Sequence, residues 1–176
     1  GAVPAPPAGR AAADSPLAAE ASAMADAVRT QLEEMELSNA LETVWGFVRR
    51  LNRYVEEQAP WKQAKQESAA LAPDAGSDAE AAVRAPLDAT LWDLAEGLRL
   101  LSVLLHPFIP ATTAAIRQRL GLEAAAPTGD SPQPGRGEAA DAVPQAGRSW
   151  DEACWGLLPE GLAVTAGAPL FPRIEE

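Results

Sequence analysis

The 176-residue chain has few of the side chains that catalytic and metal sites require. It contains one cysteine, Cys154, and one histidine, His106, so it holds neither a disulfide framework nor a Cys/His zinc site of its own. No Gly-rich phosphate loop and no Gly-x-Ser-x-Gly elbow is present. We therefore predict no catalytic residue and no metal site in this chain, and a function exercised by binding.

Long apolar runs are also missing, since no stretch of about 18 apolar residues occurs, and this predicts no membrane partner. The scarcity of cysteine is typical of a reducing compartment, which predicts a cytoplasmic location. Composition excludes little else.

Positive charge is scarce overall, with 14 Lys and Arg against 25 Asp and Glu and a net charge of −11 at pH 7. Such a balance disfavours a nucleic-acid partner. The distribution is uneven, however, because residues 38–66 hold five basic and three acidic side chains, a net of +2. The local field decides where a phosphate backbone can approach, so this segment keeps nucleic acid among the alternatives.

Apolar residues recur at helical spacing in four segments. A helix is predicted over 16–36, a second from Ser38-Asn39 to a break at Pro60, a third over 86–106 and a fourth over 111–120, capped by Gly121. The third is rich in leucine and is predicted to be central. The predicted core consists of Leu41, Val44, Trp45, Val48, Leu91, Leu94, Leu98, Leu101 and Leu105.

This spacing predicts an all-α fold, an antiparallel helical bundle with a non-helical C-terminal arm. Residues 1–14 are rich in Ala and Pro and are predicted to be disordered. The bundle spans 15–121 and contains a loop over 67–85. Residues 122–148 form a low-complexity loop, and 149–176 form the arm packed on the bundle.

Four segments together resemble one known family. They are residues 40–62, which contain Asn52-Arg53-Tyr54 and Ala59-Pro60-Trp61, residues 90–99, residues 104–110, and residues 155–161 followed by 169–175. In this order they resemble the anticodon-binding domain of methionine–tRNA ligases, which are class I aminoacyl-tRNA synthetases. The family's Asn-x-x-x-Arg helix, whose side chains read anticodon bases, has no match upstream of the first helix.

The resemblance implies that the chain recognises the anticodon stem-loop of the tRNA for methionine. It also implies that the parent ligase charges that tRNA with methionine using ATP. The chain itself holds no cofactor. ATP, and zinc in members with a cysteine-rich knuckle, would belong to a catalytic domain of the same polypeptide that this chain lacks.

The resemblance further assigns a base-stacking role to Trp150, with Arg148 beside it as a phosphate contact. The alternative is that Trp150 packs the arm onto the bundle. Trp61, after the helix break, is either a core residue or an RNA contact. Trp155 is predicted to belong to the packed arm.

Arg49 and Arg53 lie one turn apart on one face of the second helix. They are either part of a salt-bridged surface, with Arg53 paired to Glu56 or Glu57, or contacts to the RNA backbone.

Two other functions stay open. One is a non-catalytic helical protein–protein interaction module. The other is the anticodon domain of a different class I synthetase, such as the cysteine or isoleucine enzyme, against which the Leu-Phe-Pro-Arg-Ile ending argues.

Overall fold

The structure, a computed structural model, describes residues 1–70, 77–122 and 150–171. Five helices form its frame: α1 (Ala18–Glu33), α2 (Leu37–Gln58), α3 (Pro60–Ala70), α4 (Ser77–Leu104) and α5 (Pro110–Arg119). Short 3₁₀ turns occupy Ala12–Asp14 and Trp150–Ala153. Within the described ranges there is no β-strand beyond one antiparallel bridge, between Ala2 and Ala163, so the all-α prediction is confirmed. None of the described helices is long and apolar enough to cross a membrane.

The break predicted at Pro60 is confirmed, and a further helix that the sequence did not indicate, α3, follows it. Ala59 takes a left-handed conformation with φ 44° while its N–H still bonds Val55 O at 2.9 Å. Pro60 then begins α3, because proline at the first helical position gives up no backbone bond. Residues 67–70, predicted as loop, are therefore helical.

The third predicted helix begins earlier than the sequence indicated. It was predicted to start at Pro86, yet α4 starts at Ser77 and carries Pro86 inside it. One proline removes only one backbone bond. Helix α4 continues through this proline, and its N-terminal part packs on α3, with Arg84 Nε 3.2 Å from Glu67 Oε1. The rest of the predicted 67–85 loop, residues 71–76, lies outside the described residues, as does the predicted 122–148 loop beyond Leu122.

The core lies between α1, α2 and α4. Of the predicted core residues, Val44, Leu101 and Leu105 are buried. Leu41, Val48 and Leu94 are half-buried and pack against that core. The predicted core list left out other large core residues, which are Leu17, Met24, Val28, Phe47, Leu51, Tyr54, Leu100, Val103 and Leu104.

Three predicted core residues are exposed, and their assignment to the core was wrong. Trp45 is 50%, Leu91 38% and Leu98 41% exposed. All three lie on apolar stripes of α2 and α4, but no described element covers that part of either stripe.

Helices α2 and α4 are antiparallel and in close contact. Leu51 meets Gly97, where an added Cβ would lie 2.7 Å from Leu51 Cδ2, and Tyr54 Oη donates a 2.7 Å hydrogen bond to Asp93 Oδ2. A later residue of α2 thus pairs with an earlier residue of α4. The lack of a side chain at Gly97 permits this close approach, because an added Cβ would require the Leu51 side chain to shift.

The N-terminal segment is ordered against the bundle, so the predicted disorder of residues 1–14 was wrong. Val3 is buried and its N–H donates to Leu162 O at 2.8 Å. Arg10 donates two hydrogen bonds, of 2.9 and 2.7 Å, to the buried carboxylate of Asp93. A composition rich in Ala and Pro gave no sign of these long-range contacts.

The C-terminal arm is confirmed as mostly non-helical over 150–171. Thr165 N–H donates to Arg119 O at 2.9 Å, which ties the arm to the end of α5. The predicted cap Gly121 has φ 75°, and an added Cβ there would lie 2.6 Å from Ala163 O. Glycine at this position therefore both ends the helix and lets the arm approach.

Candidate nucleic-acid interface

A buried ion pair on α4 fixes the turn that carries Trp150. Arg99 Nε lies 2.7 Å from Glu96 Oε2, and both side chains are almost fully buried. Arg99 Nη1 also donates to Glu152 O at 2.7 Å, while Glu96 Oε1 accepts from Gly156 N–H at 2.6 Å. Such a pair is tolerated in the interior because each charge is satisfied by further hydrogen bonds. The arm therefore has one defined position on α4.

Trp150 is half-buried and packs against the core. It also lines a surface pocket of about 440 Å³ with Leu32, Val103, Leu104, His106 and Pro107. The described residues around this pocket include no Lys or Arg. Arg148, its predicted neighbour on the RNA side, lies outside the described residues. The stacking role of Trp150 stays a prediction, beside the packing role that its contacts with the core support.

Trp61 is the second residue of α3 and is 58% exposed. The left-handed turn at Ala59 turns the chain so that α3 leaves α2 at this point, and Lys62 N–H bonds Ala59 O at 2.7 Å. Lys62 and Lys65 are both exposed. The ring thus stands in solvent beside two cations, and the core alternative for Trp61 is wrong.

The arginines of α2 have different surroundings. Arg49 lies 2.8 Å from Glu42 on the exposed surface. Arg50 reaches Glu20 at 3.1 Å and Glu57 at 3.3 Å, and its guanidinium lies 5.7 Å from the centroid of the Tyr54 ring. Arg53 pairs with neither Glu56 nor Glu57, the two partners predicted as alternatives, and Glu57 is instead bound by Arg50.

Three cations at the α2–α3 junction have no side-chain partner within residues 1–70, 77–122 and 150–171. They are Arg53, Lys62 and Lys65, whereas the other basic side chains of those ranges bond a carboxylate or a backbone carbonyl. An unpaired cation can bind a phosphate without first breaking an ion pair. These three, with Trp61, form what we call the junction patch.

A second buried network anchors the end of α2, next to Arg53 in the sequence. Tyr54, one residue after Arg53, bonds Asp93, which Arg10 also contacts. Burial raises the pKa of the Tyr54 phenol above its ordinary value, and the hydrogen bond to Asp93 raises that pKa further. This network holds the last turns of α2 against α4.

Sequence reasoning did not identify Asp93, Glu96 and Arg99 as buried residues, because charged side chains are mostly exposed. Their burial could have been inferred from their position, because they recur every three residues inside a leucine-rich helix. Within the described part of the chain, no group of three or more His, Cys, Asp and Glu side chains could hold a metal ion.

Comparison with known proteins gives one consistent match. The family described as the anticodon binding domain of methionyl tRNA ligase matches residues 3–176. The methionine–tRNA ligase of Streptomyces coelicolor is 38% identical over 154 residues, which is 88% of this chain and 24% of that enzyme. That of Deinococcus radiodurans is 34% identical over 157 residues, 89% of this chain and 18% of the enzyme.

A solved structure gives the same result. The apo form of Mycobacterium tuberculosis methionyl-tRNA synthetase superposes on this chain with a TM-score of 0.68 and 25% sequence identity, covering 100% of this chain and 28% of that one. The chain therefore spans between 18% and 28% of the length of these relatives.

Proposed function

The chain belongs to the family of anticodon-binding domains of methionyl-tRNA ligases, and from this premise we propose that it recognises the anticodon stem-loop of the tRNA for methionine. The observation that carries the proposal is the junction patch, an exposed tryptophan beside three unpaired cations. A single-stranded loop is recognised by stacking of unpaired bases on aromatic rings and by cations on its phosphates.

Trp61 is the stacking platform in this proposal. Its ring is already exposed, so a base stacks on it without any rearrangement of the core. Lys62 and Lys65 lie within the same first turns of α3 and neutralise the phosphates that flank the stacked base. Arg53 supplies a further cation from α2.

Trp150 and Arg148, the residues assigned by resemblance, form a second candidate contact. Trp150 would have to offer to a base the part of its ring that faces the pocket, while the rest stays packed on the core. Arg49 is a weaker candidate, because a phosphate would have to displace Glu42. A loop of several unpaired bases can use more than one platform.

The parent protein in this proposal is a methionine–tRNA ligase in the cytoplasm. Its catalytic domain, on the same polypeptide, would bind ATP and any zinc and would transfer methionine to the tRNA. The chain alone then has no aminoacylation activity. Support comes from the relatives, which bear that name and are at least four times longer than the part that matches.

The two tryptophans can be separated by one pair of variants, measured by titration with fluorescently labelled tRNA bearing the methionine anticodon. Trp61→Ala is expected to weaken binding by about 1–3 kcal/mol, the usual contribution of one stacked base. Its free energy of unfolding should change by less than about 0.5 kcal/mol, because the ring is exposed. Trp150→Ala is expected to lower the free energy of unfolding by about 2 kcal/mol, roughly half the cost of truncating a fully buried aromatic.

Trp45→Ala is the matched control, since Trp45 is exposed to a similar degree but lies on α2 about two helical turns before Arg53. It should leave tRNA affinity unchanged. Unchanged affinity in Trp61→Ala, together with weaker binding and normal stability in Trp150→Ala, would transfer the stacking role to Trp150. No binding by the wild-type chain or by the complete ligase would refute the proposed function.

A further inference from the structure

The backbone around Arg10 is fixed on both sides. A turn precedes it, in which Arg10 N–H donates to Pro7 O at 3.0 Å and Gly9, with φ 81°, supplies the positive φ. An added Cβ at Gly9 would meet nothing within 4 Å, so glycine serves the backbone conformation there and not the packing. After it, Ala12 O accepts a 3.1 Å hydrogen bond from Trp155 Nε1. The N-terminal segment thus presents one arginine to α4 from a fixed backbone.

Asp93 depends on this arginine for its counter-charge. Its carboxylate is fully buried, and Arg10 is the only cation bonded to it within the described ranges. Arg10 Nη2 reaches both carboxylate oxygens, at 2.9 and 2.7 Å, and Tyr54 Oη donates to the same group at 2.7 Å. A hydrogen bond to an ionised acceptor is about twice as strong as a neutral one. Because Arg10 balances the buried charge, it also supports the bond from Tyr54.

The junction patch lies between two polar contacts with α4. Before it in the sequence, Tyr54 of α2 bonds Asp93, and after it, Glu67 of α3 lies 3.2 Å from Arg84. The second contact is at the surface, with the Arg84 side chain 48% exposed, and exposed ion pairs contribute little to stability. The contact through Asp93 is buried and is therefore the firmer of the two.

The last turns of α2 extend beyond α1. The two helices are antiparallel, and Glu20 in the first turn of α1 bonds Arg50 at 3.1 Å. Helix α1 begins only two residues before Glu20, which leaves the turns of α2 after Arg50 to pack on α4. Tyr54 lies in these turns, and the left-handed turn at Ala59 that precedes Trp61 follows five residues later.

We propose that Arg10 is a positioning residue for RNA recognition: by balancing Asp93 it holds Tyr54, and through Tyr54 it fixes the end of α2 that carries the junction patch. The inference rests on the proposed function, in which the junction patch binds the anticodon stem-loop. Arg10 does not contact RNA in this role, because its side chain is only 17% exposed and is bonded to Asp93. The apparent affinity of a site falls with the fraction of molecules that hold it in the binding-competent arrangement. Loss of Arg10 therefore weakens RNA binding without removing any contact to RNA.

A double-mutant cycle, measured by titration with labelled tRNA in the 176-residue chain and in the complete ligase, tests this role. Arg10→Met removes the charge and keeps an unbranched side chain, and we expect it to raise the Kd about 2- to 30-fold, the range typical of changes within a coupled network. Arg10→Lys should recover part of the loss, because a single nitrogen makes both bonds to Asp93 and an ammonium can replace it. In an Asp93→Asn background no buried charge needs balancing, so Arg10→Met should change the Kd by less than about twofold.

Leu100→Ala is the matched control for stability. Leu100 is fully buried in α4, so its truncation destabilises the fold, but it takes no part in the contact between Tyr54 and Asp93. Its Kd should stay within about twofold of the wild-type value under conditions in which urea unfolding shows every variant to be folded. The slope of log K against log salt concentration should be the same in Arg10→Met as in the wild type, whereas loss of a direct phosphate contact would reduce its magnitude by about 0.7.

Unchanged affinity in Arg10→Met, or an equal loss of affinity in Leu100→Ala, would overturn the proposal. A reduced salt slope would also overturn it, because Arg10 would then be a direct RNA contact. If Arg10→Met does not fold, Arg10→Lys is compared in the wild-type and Asp93→Asn backgrounds, and equal weakening in both refutes the role. Absence of tRNA binding by the wild-type chain and by the complete ligase would refute the proposed function and this inference together. Normal wild-type binding with no effect of Arg10→Met would refute this inference alone.

Discussion

Tyr54 helps to hold α2 against α4, and it directly follows Arg53 of the junction patch in the sequence. Its hydroxyl donates to Asp93, which is fully buried and also accepts two hydrogen bonds from Arg10. Removing any partner leaves a buried polar group without its hydrogen bond, which costs more than the bond itself is worth. Three distant parts of the sequence are thus joined through one carboxylate, and one of them, Tyr54, directly follows Arg53 in α2.

The raised pKa of Tyr54 leads to a testable dependence of stability on pH. An unfolded tyrosine ionises at about pH 10, while the folded phenol stays protonated to higher pH. Its contribution to the free energy of unfolding is therefore fully present below about pH 10 and is lost as the pH rises toward the folded-state pKa. Urea unfolding from pH 7 to 11 should show a steeper decline above pH 10 in the wild type than in Tyr54→Phe.

At pH 7 the Tyr54→Phe variant should lose about 1.5–3 kcal/mol, the value of a hydrogen bond to a charged acceptor. Tyr54 is the only tyrosine in the chain, so tyrosinate absorbance reports this residue alone. Parallel declines in the two proteins above pH 10, or ionisation of folded Tyr54 at an ordinary pH, would contradict the hydrogen bond to Asp93.

At the scale of the element, α4 is the helix against which the other four helices and the C-terminal arm pack. Its surroundings show what a leucine pattern can and cannot predict. The periodicity predicted a central helix, and α4 does contact α1, α2, α3, α5 and the C-terminal arm. The same periodicity assigned Leu98 to the core, while Leu100, two residues later, is fully buried and Leu98 is not.

Two substitutions test this orientation of α4. Leu100→Ala should lower the free energy of unfolding by about 2–5 kcal/mol, as expected for a fully buried leucine. Leu98→Ala in the same isolated chain should cost less than about 1 kcal/mol, because much of its side chain is already in water. Equal losses in urea unfolding would show that α4 is rotated from the orientation described here.

The physical reason for the error is that periodicity reports the width of an apolar stripe and not what covers it. The stripe on α4 is wide because different parts of it face different neighbours. Buried Asp93, Glu96 and Arg99 point to the terminal segments, whose Ala- and Pro-rich sequence carries no periodic signal.

Helix boundaries set by local chemistry were predictable, such as the break at Pro60 and the cap at Gly121. Those set by packing, such as the start of α4, were not.

At the scale of the whole molecule, the question is how a chain with net charge −11 binds RNA. Most of the basic residues in the described ranges are paired within the fold, so the acids they neutralise no longer repel an incoming phosphate at short range. The junction patch keeps Arg53, Lys62 and Lys65 unpaired in the one part of the sequence that is net basic by two charges. Repulsion from the remaining acids is long-range and is screened beyond about 10 Å at 0.1 M salt. Binding should therefore depend on a few local contacts.

Salt dependence measures how many such contacts there are. Three phosphates neutralised in a single-stranded loop predict a slope of log K against log salt concentration of about −2. The double variant Lys62→Ala/Lys65→Ala should reduce the magnitude of that slope by about 1.4, since two of the three contacts are lost. The control, Arg29→Ala/Arg84→Ala, removes the same total charge from residues already paired with Glu33 and Glu67. It should leave the slope unchanged while weakening binding slightly at low salt. If both double variants changed the slope equally, the RNA would be sensing total charge, and the junction patch would have no specific part in binding.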